Sequence, residues 1–468
     1  MSKGTSLAKN TLIIALGKLS SQFIGFLLLP LYTYFLSPSE YGFVDLTVVY
    51  IALLMPTLTL QMEMASFRYL VDARKSETER TRVISNIVRM AIPLALPWLV
   101  GFVIFGLVTN FAHTWSIVFA GVAMLCVNLT LQMTRGLGNN KQYAIASLTI
   151  GFFTLLGALV FIVWAGMRVD GMLLSVAVAN TFTALYLVVK MRLHRYVKRG
   201  MVDKALQREI LGYSVPLVPN GVAWWVINAS DRTIITIMIN TAANGIYAVA
   251  TKYSAILNSL FSVFNMSWTE AASMHINAPD RDKFFSQVAN TAVRLFGALG
   301  LGLIATIPFI FPYMVNTEFK EAYLYIPIMV IGVFFNVIVG IYSAIYVAKK
   351  LTKQVMNTSL IAAVLNIVLT VGLIPLFGLY AAAGATALAF LVMAIFRHYD
   401  VKKHVQITYE KNVFVILAML YSVVMYFYYI DAMWASMAGL MLAVGSAYWL
   451  NRRELKKIGT MVTGRFSK

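Results

Sequence analysis

The sequence predicts an all-α polytopic membrane protein with about fourteen transmembrane helices, arranged as two parallel, pseudo-symmetric six-helix lobes plus two C-terminal helices. Three observations carry that prediction. Of 468 residues, 60% are hydrophobic and only 12% charged, and the mean hydropathy is +0.76, as expected for a chain solvated largely by lipid. The apolar residues fall into stretches of the roughly 20 residues that a helix needs to cross about 30 Å of hydrocarbon. Finally, 32 of the 38 Lys and Arg residues lie in the N-terminal segment, every second connection and the C-terminal tail. Translocating these cations is disfavoured, so the basic connections are predicted to be cytoplasmic, and an even number of crossings puts both termini on that side.

Taken in order, stretch 11–35 is too long for the apolar region of a secretory signal. It runs into Ser37-Pro38-Ser39-Glu40-Tyr41-Gly42 rather than a small-residue cleavage pattern, so it is predicted to stay as an uncleaved helix. Stretches 43–65, 91–109, 116–134, 144–165 and 172–189 complete the first six. The outer connections 37–42, 110–115 and 166–171 are short, whereas 68–89 mixes Asp72, Glu77 and Glu79 with its cations and predicts a solvated helical hairpin. Between the halves, Lys190, Arg192, Arg195, Lys198, Arg199, Lys204 and Arg208 alternate with Leu193, Val197, Met201, Leu206 and Ile210. This pattern predicts a basic amphipathic helix on the inner leaflet, with a cytosolic partner surface as the alternative. Stretches 214–239, 246–268, 288–311, 322–347, 355–377 and 379–396 form the second six, followed by 413–429 and 433–450. The domain plan is therefore an N-lobe over 1–190, a linker over 191–212, a C-lobe over 213–397, two further helices over 398–450 and a basic tail over 451–468.

An internal repeat supports the two lobes. Glu40-Tyr41-Gly42-Phe43-Val44 corresponds to Ala243-Asn244-Gly245-Ile246-Tyr247, and Val88-Arg89-Met90 to Val293-Arg294-Leu295. Lys141-Gln142 matches Lys353-Gln354, and Gly171 matches Gly378, at offsets from 203 to 212. Six helices is an even number, so the halves share one orientation and are related by an axis along the membrane normal.

Several function classes are disfavoured. The net charge of +19 is dispersed over the cytoplasmic segments instead of being gathered on one face among exposed aromatics, so a nucleic-acid partner is not indicated, and topology with attraction to anionic membrane lipids accounts for it. Cys126 is the single cysteine, and His113, His194, His275, His398 and His404 have no ligand spacing, so neither a disulfide framework nor a metal site is predicted. There is no phosphate-binding loop, His-Glu-x-x-His or Gly-x-Ser-x-Gly motif. The chain is predicted to be a transporter rather than an enzyme. No cofactor is implied.

Function should instead lie with ionisable residues inside the apolar stretches, since a charge there costs about 2.5–3.5 kcal/mol unless it meets water or a partner. Lys18 is predicted roughly 10 Å deep from the inside, and Lys252 is set into its stretch from the outside, where this topology otherwise avoids cations. Arg89 and Arg294 occupy matching inner positions. These four are candidates for a cationic cavity lining that favours an anionic headgroup, with interfacial anchoring as the alternative. Asp231 and Arg232 point about 100° apart on a helix and need separate partners. Trp224, Trp225 and Tyr253 are candidate sugar-stacking rings, although interfacial packing is the simpler role. Asp45, Glu63 and Glu270 are candidate coupling carboxylates, with Arg68 the expected structural partner of Glu63.

Three sets of residues give the chain a family resemblance: Asn10-Thr11-Leu12 with Gly17 and Pro30; Leu36-Ser37-Pro38-Ser39-Glu40-Tyr41-Gly42; and, in the second half, Ser230-Asp231-Arg232-Thr233-Ile234-Ile235, Gly245-Ile246-Tyr247-Ala248-Val249-Ala250-Thr251-Lys252-Tyr253 and Phe264-Asn265-Met266-Ser267-Trp268. In their order and spacing the chain resembles the bacterial polysaccharide flippases, the O-antigen and capsule repeat-unit exporters of the multidrug/oligosaccharidyl-lipid/polysaccharide superfamily. The resemblance implies movement of an undecaprenyl-pyrophosphate-linked oligosaccharide across the bacterial cytoplasmic membrane by alternating access. It also implies coupling to H⁺, Na⁺ or the membrane potential, with a polysaccharide polymerase and glycosyltransferases as partners. Pro30, Pro216 and Pro219 are then candidate bending points. A drug extruder of the same superfamily, a membrane-embedded glycan polymerase or ligase, and a structural scaffold remain as alternatives. The first would use intramembrane carboxylates, and the second a longer external segment.

Overall fold

A computed structural model describes residues 23–466, and among them the regular structure is entirely helical. In chain order the helices are α1 (Leu29–Phe35), α2 (Pro38–Leu58), α3 (Met62–Asp72), α4 (Glu77–Thr109), α5 (Thr114–Gly136), α6 (Asn140–Ala158), α7 (Arg168–Lys190) and α8 (Lys204–Ser214). They continue as α9 (Val218–Met238), α10 (Thr241–His275), α11 (Arg281–Met314), α12 (Ala322–Ala348), α13 (Thr352–Phe377), α14 (Leu379–Val401), α15 (Lys411–Ile430) and α16 (Met433–Phe466). Eleven of the described helical segments are long and apolar enough to cross a membrane, which makes this a multi-pass membrane protein. Phe23–Phe35, α9 and α10 are helical at the three other predicted places without being among those eleven.

The chain forms two compact units, Met1–Gly245 and Ile246–Lys468. Helix α9, expected to open the second lobe, thus falls in the first unit, where it packs along α2.

Local sequence explains most helix ends. Ser76 caps α4 by accepting from the Glu79 N–H at 3.3 Å, and Glu77 and Glu79 place negative charge in its first turn. The predicted hairpin over 68–89 forms: α3 runs to Asp72, residues 73–75 turn, and α4 starts at Glu77. At 33 residues, α4 is about 50 Å long at ~1.5 Å per residue, so it projects beyond the hydrocarbon. Three expectations change. Stretch 43–65 is not one helix, because Leu60 and Gln61 adopt positive φ (50° and 58°) and separate α2 from α3. The prolines at 216 and 219 do not bend a helix: Pro216 lies in the 3-10 turn Val215–Leu217 and Pro219 in the first turn of α9, where its missing N–H costs nothing. Lastly, the basic linker is helical only from Lys204, where Asp203 caps α8 through the Ala205 and Leu206 N–H groups. The apolar face of α8 is also not free for lipid: Leu206 and Ile210 are buried against Met62, Leu70, Ile84 and Ile87 of the hairpin.

The two units share a device in the segments that return to the long helices. In the first unit, Ser85 on α4 donates to the Tyr196 carbonyl at 2.7 Å and accepts from the Lys198 N–H at 2.9 Å. Asn86 donates to the Met201 carbonyl and accepts from the Asp203 N–H, both at 2.9 Å, and Asp203 pairs with Arg82 of the same helix. In the second unit, Ser286 on α11 donates to the Gln406 carbonyl at 3.5 Å and accepts from Thr408 at 2.9 Å. Asn290 donates to the Thr408 carbonyl at 2.8 Å and accepts from Glu410 at 2.9 Å. Glu410 then pairs with Arg294 at 2.9 Å. In each unit one Ser, one Asn and one Arg fasten a segment whose carbonyl and N–H groups two residues apart would otherwise be unsatisfied.

Candidate functional site

Within the first unit, α2 and α9 join through charge. Arg232 donates to Asp45 at 2.6 Å, with both side chains largely buried, and one turn along, the Tyr50 and Thr233 hydroxyls lie 3.1 Å apart. Arg232 thereby finds the separate partner that helix geometry required, and Asp45 is committed to an ion pair. At the same end the two repeat-related glycines touch. A Cβ on Gly42 would stand 2.6 Å from the Gly245 nitrogen, and one on Gly245 would stand 2.0 Å from the Pro38 carbonyl oxygen, so only glycine fits at either position. Asn244 closes the contact by donating to the Gly42 carbonyl at 2.9 Å. Asp231, next in sequence to Arg232, is buried.

Glu63 lies just past the break between α2 and α3. It accepts from the Thr59 hydroxyl at 2.9 Å and borders a void of about 10 Å³ shared with Asn128 and Leu129, the minimum room for a single water. Its expected partner is engaged elsewhere, since Arg68 pairs with Asp72 at 2.7 Å. Glu270 is half-buried and has no ion-pair partner among the described residues.

In the second unit, Lys252 is half-buried on α10. Ile256 and Leu260 follow one and two turns along the same stripe and line a groove of about 550 Å³ with Leu299 and Leu303 of α11 and Val444 and Tyr448 of α16. The groove is almost wholly apolar. Tyr253, by contrast, is an interior residue: it is 1% exposed and packs on Phe311 with ring centroids 5.7 Å apart, so its face is not offered to a sugar.

The matched arginines differ. Arg89 is exposed, whereas Arg294 is 12% exposed and donates to Glu410 at 2.9 Å and Glu454 at 2.8 Å, so its charge is neutralised by two carboxylates. Lys18 lies outside the described residues, as do the side chains of Trp224 and Trp225.

One buried cation escapes sequence reasoning. Arg397 stands beside His398, Lys402 and Lys403 and reads as the basic end of a helix, yet α14 continues to Val401 and Arg397 is 1% exposed. All five of its N–H groups are used, on the hydroxyls of Thr358, Ser343 and Ser359 and the carbonyls of Val339 and Val355. No carboxylate pairs with it among the described residues. It fastens α12, α13 and α14 together.

Among solved structures, the chain is similar to the lipid II flippase MurJ in an inward closed conformation, with a TM-score of 0.72 at 14% identity over 96% of this chain and 99% of that one. It is also similar to an inward-facing multidrug resistance MATE family transporter of the MOP superfamily, with a TM-score of 0.66 at 10% identity over 83% and 95% of the two chains. At such identities these likenesses establish the fold. No curated protein matches the chain by sequence. The family model described as polysaccharide biosynthesis protein matches residues 7–269, more than half of the sequence. With the fold it shares with those solved structures and its apolar, ion-studded helices, the chain belongs to the polysaccharide biosynthesis protein family.

Proposed function

We propose that the protein moves an undecaprenyl-pyrophosphate-linked oligosaccharide from the inner to the outer leaflet of the bacterial cytoplasmic membrane by alternating access, with both termini cytoplasmic. The observation that carries this reading is the stripe on α10, where Lys252 stands one turn from an apolar groove of about 550 Å³. A cation beside a greasy channel suits an amphiphile with an anionic head and a polyprenyl tail: the ammonium makes charge-assisted contacts to pyrophosphate while the tail lies against Leu260, Leu303 and Val444. A lipophilic drug cation would be repelled at the same place. Glu63 is the carboxylate best placed for H⁺ or Na⁺ coupling, because Asp45 is held by Arg232.

Reconstituted vesicles carrying a labelled polyprenyl-pyrophosphate oligosaccharide provide the test. Wild-type protein should expose the glycan to an external lectin. Lys252→Ala should abolish most of that exposure and Lys252→Arg should keep part of it, because the charge survives while its geometry changes. In the same vesicles an imposed proton gradient should alter the rate for wild type but not for Glu63→Gln. Undiminished export by Lys252→Ala, or selective transport of drug cations, would overturn the assignment.

A further inference from the structure

The cation-poor end of the first unit carries a second hollow. Helices α4 and α5 meet there through Asn110 and His113, both in the left-handed region at φ 49° and 65°. Together with Met167 just before α7 and Asp170 in its first turn, this turn borders an open hollow of about 450 Å³ that Phe111 and Trp115 also line, within the ~300–1,000 Å³ typical of small-molecule sites.

Its chemistry is specific. Asp170 is held by the Ser116 hydroxyl, which donates to Oδ1 at 2.6 Å, and His113 Nδ1 lies 2.9 Å from Oδ2 without donating to it. Each carboxylate oxygen still has a lone pair for a further donor. The His113 ring is steadied by Phe43, 5.7 Å away between centroids. The Asn110 side chain is engaged by no described residue, so its amide presents both a donor and an acceptor. Trp115 is 66% exposed and Phe111 37% exposed, so both rings offer apolar surface. The nearby cation is occupied, because Arg168 pairs with Glu40 at 2.5 Å, and the Asp170 charge disfavours an anion. Vicinal hydroxyls on one side of a ligand and aliphatic C–H groups on the other match a mixed donor–acceptor edge next to aromatic faces.

From this arrangement we infer that the hollow binds one neutral pyranose, a hexose or an N-acetylhexosamine, of the transported glycan. It rests on the proposed function in that the site faces outward, where a glycan leaves the protein. Among the described residues no Lys or Arg lines the hollow to hold a phosphate or lipid headgroup there.

Saturation-transfer NMR on the full chain in phospholipid nanodiscs tests the site directly, with glucose, galactose, mannose, N-acetylglucosamine and N-acetylgalactosamine as probes and open-chain mannitol as control. At least one pyranose should bind saturably, and mannitol should not. Asn110→Gly keeps the left-handed turn, and Trp115→Leu changes an exposed ring, so neither threatens the fold. Each should weaken binding about tenfold, the loss expected for one good contact, while Lys252→Ala should leave it unchanged. Absence of saturable binding by every pyranose, or unaltered affinity in both variants, overturns the inference. Such a failure alongside intact, Lys252-dependent export would leave the transport reading standing. Pyranose binding without any export would remove that reading and keep the site.

Discussion

The fastened segment of the first unit, 196–203, and that of the second, 406–410, are built from the same parts and used differently. In each, a Ser and an Asn on a long helix satisfy the backbone of the incoming strand of chain, and an acid at its end finds an Arg on that helix. Beyond the first segment comes α8, which spends its apolar face on the hairpin core; beyond the second comes α15, apolar enough to cross the membrane. Electrostatic environment separates them further. Each arginine meets two carboxylates, Glu79 and Asp203 for Arg82 and Glu410 and Glu454 for Arg294, but Arg82 is 39% exposed and Arg294 only 12%. The two units therefore tie down a loose segment with the same residue types, at positions that do not coincide in the repeat register, and bury the charges to different extents.

The largest effect should come from the divergence itself. By the Gly171–Gly378 register, Lys190 matches Arg397, and the former is exposed while the latter is buried. Replacing Arg397 with Leu strands five acceptors inside the second unit and should cost about 3–5 kcal/mol in unfolding titrations in mixed micelles. Arg397→Lys should recover little, since an ammonium has three donors and no planar fork. Lys190→Ala should change stability by less than about 0.5 kcal/mol. Equal losses at the two positions would show that burial does not distinguish them.

Next in size, Asn86→Ala and Asn290→Ala should each cost about 1–3 kcal/mol by the same assay, since each removes an amide bonded to both an N–H and a carbonyl. Their effects should add, because the residues share no partner. A negligible loss at either site would mean that only one unit depends on its Asn.

The smallest effect is a pH response. The hydrogen bond from Arg82, aided by the Leu206 and Ala205 N–H groups, holds the Asp203 carboxyl below its ordinary range. A depressed folded-state pKa means that this contribution is complete above the unfolded value of about 3.9 and is lost as pH falls through the folded one. Acidification should therefore lower the protection of the amides over 198–202 relative to their intrinsic exchange rates in wild type, and Asp203→Asn should show that lowered protection already at neutral pH. Protection in the variant that still falls on acidification would point to another titrating group.

Much of the fold was legible because its determinants are local or periodic. Apolar length located the helices, and the internal repeat singled out two glycines. Their contact at Gly42 and Gly245 gives that motif a physical reason, close backbone approach, that no periodicity contains. The candidate site was legible only in fragments. Lys252, Asp45, Arg232 and Glu63 stand out as charges in apolar surroundings, but their partners do not. Arg232 needed a carboxylate that lies 187 positions away, and Glu63 is bonded by Thr59 while Arg68, on the same helix, pairs with Asp72 one turn on.

What the sequence by itself determined is the class of solvent around the chain, the number and order of its long helices to within a few, and its family. Partition into lipid, helix propensity and the cost of moving cations act residue by residue, so composition and pattern suffice. Only the tertiary structure decided which charges are neutralised, which apolar faces are already occupied and where hollows remain. Arg397 shows why: its five acceptors come from residues 339–359 on two other helices, and a hydrogen bond or a cavity exists only when separate segments of chain arrive at the same place.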